Sequence, residues 1–140
     1  MEENLPSEPA PRVELRAVAL AEQHFLADGY SVEDVSRKRG HNGYDLLVEK
    51  DGTPMKVEVK GATRAWGIPD PYNTEFDDSM RLVADVLCVV YFIGNDPPKM
   101  CLIPRDAISP KDVSVRMGYR ISSRFKKESV LSQYVVPIRA

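Results

Sequence analysis

Two acidic side chains and a lysine flank a strong hairpin signal near the middle of the chain. The dipeptide Asp51-Gly52 separates two apolar-rich segments, one containing Asp45 and the other containing Glu58 and Lys60. Asp-Gly between such segments is one of the strongest short signals for a β-hairpin. A two-residue turn there sets Asp45 directly opposite Glu58, with Cβ atoms about 5 Å apart on one face of the sheet. Strand alternation adds Lys60 to that face.

Two carboxylates and a lysine on one face suit metal-dependent chemistry on a phosphate. Mg²⁺ prefers hard oxygen ligands, so Asp45 and Glu58 are the candidate metal ligands. The ion would lower the pKa of a bound water, and Lys60 would orient that water or stabilise the transition state. The same residues are equally compatible with a solvated strand face that carries a ladder of ion pairs. The hairpin alone does not separate the two interpretations.

A fourth candidate, Glu14, comes from the first predicted helix. At 100° per residue it falls on the same stripe as apolar residues that should face the core. Those residues are Val18, Ala21 and Phe25. An acid among core-facing residues is costly unless it is paired or binds a metal, so Glu14 is a candidate functional residue that could reach the end of the sheet where Asp45 and Glu58 lie. The alternative is a frayed first turn that releases the side chain to water.

Two helices are predicted to accompany the hairpin. The first has Ser7 as a possible N-cap and runs to Asp28, with Gly29 as its C-terminal stop. The second begins at Asn73 or Thr74 and presents one apolar face to the sheet. That face consists of Phe76, Met80 and Val83.

Several short segments have the alternation, or the β-branched and aromatic content, of strands. They cover residues 30–36, 44–50, 55–61, 86–93, 100–104, 112–116 and 134–138. The run from Val86 to Ile93 is continuously apolar, which is typical of a strand buried on both faces. Together these segments predict a mixed α/β fold with helices packed on a central mixed β-sheet.

Length and composition describe one domain. The chain has 140 residues, 43% hydrophobic and 29% charged, as in globular proteins. Residues 1–11 are acidic and proline-rich and predict a flexible lead-in, followed by a single domain over 12–140. The apolar run 86–93 is far shorter than the roughly 20 residues of a membrane helix. The first residues also lack the features of a secretory or transit signal. We therefore expect a cytoplasmic protein without a membrane partner.

Charge is distributed unevenly along the chain. The net charge is −2, yet residues 105–140 carry eight basic and only three acidic side chains. Such asymmetry favours nucleic-acid contact, and solvated surface charge is the alternative. Candidate nucleic-acid-binding residues lie in a basic loop before the hairpin and in a tail that interleaves basic and aromatic residues. They are Arg37, Lys38, Arg39, Arg120, Arg124, Lys126 and Lys127. Trp66, after the lysine, is expected to anchor its loop, with base stacking as the alternative.

The ordered set of motifs resembles the PD-(D/E)xK nuclease superfamily, which has the restriction-endonuclease-like fold. The residues that carry the resemblance are Glu14, Gly43-Tyr44-Asp45 and Val57-Glu58-Val59-Lys60-Gly61. The stretch Phe25–Tyr30 followed by Val32 also resembles the helix-to-strand junction of Holliday-junction resolvases and related small members. The resemblance covers about residues 12–104. Tyr44 stands where the proline that names the motif would be.

The resemblance implies a nuclease core over 12–104 followed by a basic C-terminal region over 105–140. Asp45 and Glu58 would hold Mg²⁺, for which Mn²⁺ substitutes, with Lys60 as the catalytic lysine and Glu14 as an auxiliary acid. The expected activity is endonucleolytic hydrolysis of DNA phosphodiester bonds through a Mg²⁺-activated water, in a homodimer. One alternative is a catalytically inactive nuclease-like module that binds DNA or serves assembly. Another is an α/β interaction protein whose hairpin charges are structural.

Overall fold

The computed structural model describes residues 10–36, 43–69, 76–115 and 119–139. These ranges contain the long helix α1 (Ala10–Ala27) and the short helix α2 (Glu128–Leu131). The strands are β1 (Ser31–Asp34), β2 (Leu46–Lys50), β3 (Thr53–Ala62), β4 (Val86–Tyr91), β5 (Lys99–Pro104), β6 (Val113–Val115), β7 (Tyr119–Ile121) and β8 (Val135–Val136). Within this described part of the chain, no helix is long and apolar enough to cross a membrane.

Six of the strands form one mixed sheet in the order β1-β2-β3-β4-β5-β8. Strands β3 and β4 run parallel, and the other neighbouring pairs are antiparallel. Strands β6 and β7 pair with each other in a separate antiparallel hairpin. The mixed sheet and its helices confirm the predicted mixed α/β fold class.

The β2–β3 hairpin has the predicted register. Asp51 and Gly52 have φ angles of 55° and 80°, the left-handed values that both central residues of a type I′ turn require. The pairing continues in the register set by this turn as far as Leu46, which lies opposite Val57. The residue immediately before β2 is the candidate ligand Asp45.

Different parts of the chain cover the two faces of the sheet. Helix α1 covers one face, where Ala17, Ala21 and Phe25 share a core with Val57 and Val59. The opposite face is covered by the region after β5, through buried apolar residues that share a core with β4 and β5. These are Ile108, Val113, Phe125 and Leu131. The basic C-terminal region therefore supplies one layer of the core.

The buried stripe of α1 begins one residue earlier than predicted. Val13 starts the stripe, and Glu14 is half-buried at its margin. The buried apolar residues are Val13, Ala17, Ala21 and Phe25. The helix is followed, as predicted, by Gly29, whose φ of 91° favours glycine,. The predicted N-cap, Ser7, lies outside the described residues.

The second predicted helix is wrong over the part of its range that the structure describes. That part holds a turn and an isolated bridge between Phe76 and Leu82. The Asp77 carboxylate accepts hydrogen bonds from the backbone N–H of Ser79 at 2.8 Å and of Arg81 at 3.1 Å. Aspartate side chains compete with helix formation in this way, and the resulting turn places Phe76 and Leu82 in one core. The predicted N-cap positions lie outside the described residues.

The predicted strands are present with boundaries shifted by a few residues. Strand β4 spans 86–91 and is buried over nearly its whole length, as its apolar run indicates. The segments predicted over 112–116 and 134–138 contain β6 and β8. Strand β7 was not predicted, because three residues are too short a run to be distinguished from a loop,.

Candidate active site

Alternation along β3 separates core residues from the charged pair of the candidate site. Val57 and Val59 belong to the core beneath α1. Glu58 and Lys60 alternate with them and therefore point toward the other face of the sheet. They are 4% and 3% exposed, and the Lys60 ammonium lies 3.4 Å from Glu58 Oε2. The two residues form a buried ion pair rather than a solvated one.

Asp45 is held against β3 by both its backbone and its side chain. Its N–H donates to the carbonyl of Val57 at 2.8 Å, and its Oδ2 accepts from the N–H of Val59 at 2.8 Å. Its carboxyl group also shares a hydrogen bond with the Glu58 side chain. The hairpin therefore brings the two acids and Lys60 together. The prediction that Asp45 lies directly opposite Glu58 is wrong, because the paired register ends at Leu46 and Val57, and the Asp45 N–H donates to the carbonyl of Val57.

Burial raises the pKa of Asp45 above its ordinary value, because loss of solvent penalises the charged carboxylate,. The N–H of Val59, the charge of Lys60 and the hydrogen bond to Glu58 act in the opposite direction. When both acids are ionised, two negative charges lie close together in a poorly solvated place. A cation bound to the two carboxylates would lower the cost of that arrangement.

Glu14 reaches this end of the sheet because α1 packs closely on β3. Gly61 permits the approach, since a Cβ there would lie 2.8 Å from Val13 Cγ1 and 2.9 Å from the Val13 carbonyl oxygen. Glu14 follows Val13 along α1. Its Oε2 is shielded from solvent. Glu14 and Lys60 both line one pocket. The glycine after the lysine thus positions the acid of the helix.

The pocket has a volume of about 630 Å³ and lies where α1, the end of β3 and the following loop meet. Thr63, Arg64 and Trp66 of this loop line it, together with Lys126 from the C-terminal region. This pocket was not predicted from the sequence. Thr63 and Arg64, shortly after Lys60, were the available signal, but no sequence pattern joins them to Lys126, about 60 residues further along the chain.

Trp66 anchors its loop, as predicted, and also forms part of the pocket wall. Its ring lies 5.8 Å from the ring of Tyr91, centroid to centroid, and the Lys99 ammonium lies 5.6 Å from it. The Tyr91 hydroxyl is buried, and has no hydrogen-bond partner among the described residues. Burial raises the pKa of Tyr91 far above its ordinary value. Tyr91 is therefore a neutral support for the indole ring.

Arg124, a candidate nucleic-acid contact, is engaged within the protein. Its Nε and Nη2 donate to the Asp112 carboxylate at 2.7 Å and 3.1 Å, and Nη2 also donates to the carbonyl of Ala107. The hydrogen bonds from Arg124 hold the pKa of Asp112 below its usual range. This fork joins two turns of the C-terminal region, so Arg124 has a structural role.

The other candidate contacts are placed differently. Lys126 lines the pocket, and Lys127 is exposed beside it in the sequence. Arg120 belongs to β7. The basic loop 37–39 lies outside the described residues. A role for these residues in nucleic-acid binding stays a prediction.

The carboxylates of Asp45 and Glu58 could bind a Mg²⁺ ion that takes only a few of its ligands from the protein. Among the described residues, no group of three or more His, Cys, Asp and Glu side chains is arranged to hold a metal. Mg²⁺ does not need such a group, because it commonly binds one or two carboxylates and completes its shell with waters and substrate phosphates. Asp45 and Glu58, in contact with each other, supply that smaller set.

A comparison of this chain with protein-family models, with curated proteins and with solved structures finds no match. Evidence on function therefore comes from the geometry of the hairpin and the pocket.

Proposed function

We propose that this chain is a metal-dependent nuclease of the restriction-endonuclease-like fold that hydrolyses DNA phosphodiester bonds. The observation that supports the proposal is the contact between Asp45, Glu58 and Lys60 on one hairpin, beside a pocket whose lining includes Arg64 and Lys126. Buried charge is costly and is retained mainly where it serves a function or is fully paired. Asp45, Glu58 and Lys60 place two acids and a base in one poorly solvated group, where a bound cation would stabilise the ionised acids,.

In this proposal, Asp45 and Glu58 hold a Mg²⁺ or Mn²⁺ ion. When bound, the ion would acidify a water and offset charge on the phosphate. Lys60, whose ammonium lies beside Glu58, would donate from Nζ to the attacking water or to a phosphate oxygen. Glu14, on the far side of Lys60 from the hairpin turn, is an auxiliary acid that accepts a hydrogen bond from water. The substrate reaches these groups through the pocket.

The decisive test is cleavage of linear, nicked, branched and single-stranded DNA with Mg²⁺ and with EDTA. We expect Glu58→Gln and Lys60→Met to lower the Mg²⁺-dependent cleavage rate at least 100-fold, because each removes a group that acts on the phosphate. Glu49→Gln and Lys56→Met change exposed residues of the same hairpin and serve as matched controls. Cleavage by Glu58→Gln at the wild-type rate would contradict the proposal.

The second candidate function is a catalytically inactive module that binds DNA or takes part in assembly. The observation in its favour is the burial of the Glu58–Lys60 ion pair. An ion pair that only stabilises the fold could be equally buried and have the same distance between its charged groups. Titration with Mg²⁺ or Mn²⁺ separates the candidates: a site that binds the ion raises the Tm of wild type but not of Glu58→Gln. An unchanged Tm in wild type favours the inactive module.

The nuclease proposal also includes a homodimer in the cytoplasm with DNA as its partner. Cutting both strands of a duplex in one binding event needs two active sites, and one copy of this chain offers one group of Asp45, Glu58 and Lys60. Analytical ultracentrifugation with and without duplex DNA measures the stoichiometry directly. A single copy per duplex would restrict the activity to one strand at a time.

A further inference from the structure

We propose that the pocket beside Lys60 binds an unpaired nucleobase, so that the protein acts on single-stranded or locally unpaired nucleic acid. The inference rests on the proposed function for its substrate class, and adds which form of nucleic acid is recognised. Lys60 lines the pocket and also contacts Glu58. A nucleotide bound in the pocket would therefore place its own phosphate next to the candidate catalytic groups.

The chemistry of the lining matches the chemistry of a nucleotide. Trp66 and Ile68 offer flat and apolar surface, and Arg64 and Lys126 offer positive charge. An indole stacks on any base, and neighbouring basic side chains bind the phosphates on either side. The volume of about 630 Å³ lies within the roughly 300–1,000 Å³ of pockets that enclose small ligands.

The position of Trp66 is fixed before any ligand arrives. Its φ of 61° is a left-handed value that a bulky residue rarely adopts,, and the contacts with Tyr91 and Lys99 hold the ring in place. Strained backbone of this kind persists where neighbouring structure determines it, often at binding sites. A base within a duplex has both faces covered by its neighbours, whereas an unpaired base has a face free for the indole.

Trp66 is the one tryptophan in the chain, so intrinsic fluorescence reports on this pocket. The experiment titrates wild type, in EDTA to prevent cleavage, with three probes: a short single strand, a blunt duplex, and the same duplex with one bulged nucleotide. We expect the single strand and the bulged duplex to quench Trp66, and the blunt duplex to leave the signal unchanged. Equal quenching by all three probes, or none by any, would overturn the inference.

Variants test the same point without relying on fluorescence. By anisotropy of a labelled single strand, Trp66→Ala should weaken binding about 10-fold, and Trp66→Phe, which keeps an aromatic wall, much less. Lys126→Ala should also weaken binding, whereas Lys111→Ala, an exposed lysine outside the pocket, should not. Wild-type affinity in both Trp66→Ala and Lys126→Ala would contradict the inference.

The experiments distinguish failure of the pocket assignment from failure of the proposed nuclease function. Mg²⁺-dependent cleavage of fully paired DNA, with no preference for the bulged duplex, keeps the nuclease and overturns the pocket assignment. Selective quenching of Trp66 in a protein that cleaves none of the probes keeps the pocket assignment and overturns the nuclease.

Discussion

The carboxylate of Asp45 lies in surroundings that oppose its own charge. Burial raises its pKa, and a backbone N–H, a lysine and the Glu58 side chain only partly compensate. Catalytic sites commonly hold charges at such a cost, because the arrangement that binds a cation or a transition state is not the most stable one for the protein alone. The charged carboxylate of Asp45 therefore lowers the stability of the folded protein, whereas the same carboxylate is a ligand in the proposed metal site.

We expect Asp45→Asn to stabilise the protein at neutral pH by about 0.5–2 kcal/mol. Because the folded-state pKa is raised, the wild type loses stability as pH rises from the unfolded value through the folded value,. The variant lacks this titration, so its advantage should be near zero at low pH and reach a plateau above the folded pKa. Chemical denaturation across that pH range measures it.

The control for Asp45→Asn is Asp96→Asn, which makes the same change at an exposed turn. It should alter the free energy of unfolding by less than about 0.5 kcal/mol. In metal-free buffer, an Asp45→Asn protein that is less stable than wild type at neutral pH would contradict the electrostatic account. The hydrogen bond from Val59 would then be the dominant contribution of that carboxylate.

At the scale of elements, the distance between α1 and β3 decides whether Glu14 belongs to the site. Gly61 sets that distance, because the backbone carbonyl of Val13 occupies the space where a Cβ would lie. A backbone atom of a helix cannot move aside without moving the helix. The position of Glu14 is therefore a property of two packed elements rather than of its own side chain.

We expect Gly61→Ala to destabilise the protein by about 1–3 kcal/mol, as overpacking in a core does, and to lower cleavage by displacing Glu14. Gly67→Ala is the matched control, because the nearest atom to a Cβ there is 4.0 Å away. Thermal unfolding of both variants, each compared with wild type, measures the effect. Equal Tm values for the two variants would show that α1 accommodates the methyl group.

Local signals determined which elements could be predicted from the sequence. Asp51-Gly52 specifies its turn by backbone geometry alone, so the hairpin register and the group of Asp45, Glu58 and Lys60 followed from it. The failed second helix has the opposite cause. Its apolar spacing fits a helix, but the hydrogen bonds of Asp77 close a turn instead, and the spacing of residues does not reveal that competition.

The pocket could not be predicted for a different reason. It is assembled from α1, the loop after β3 and Lys126, which are distant in the sequence. Burial of Glu58 and Lys60 was missed for the same reason, since it depends on what packs over the sheet face. Composition and alternation describe one segment at a time, whereas these properties belong to contacts between segments.

At the scale of the whole molecule, the C-terminal region is part of the fold as well as a source of positive charge. Phe125 and Leu131 are buried against β4 and β5. The end of the region returns to α1, where the N–H of Arg139 donates to His24 Nδ1 at 3.1 Å and its guanidinium lies 3.3 Å from Asp28. Burial lowers the pKa of His24, which keeps the ring a neutral acceptor. The C-terminal region therefore supplies both positive charge and part of the core, through different residues of one segment.

A chain truncated after Pro104 should not fold cooperatively, even though it keeps the hairpin and its three charged residues. Loss of a single buried aromatic typically costs about 3–5 kcal/mol, which is a large fraction of the roughly 5–15 kcal/mol that stabilise a domain. The truncation removes Phe125, Leu131 and the rest of their layer together.

Full-length Lys126→Gln/Lys127→Gln removes charge and keeps the layer, so it should melt near the wild-type Tm. Circular dichroism during heating compares the two proteins, and a cooperative transition in the truncated chain would show that residues 12–104 suffice for the fold.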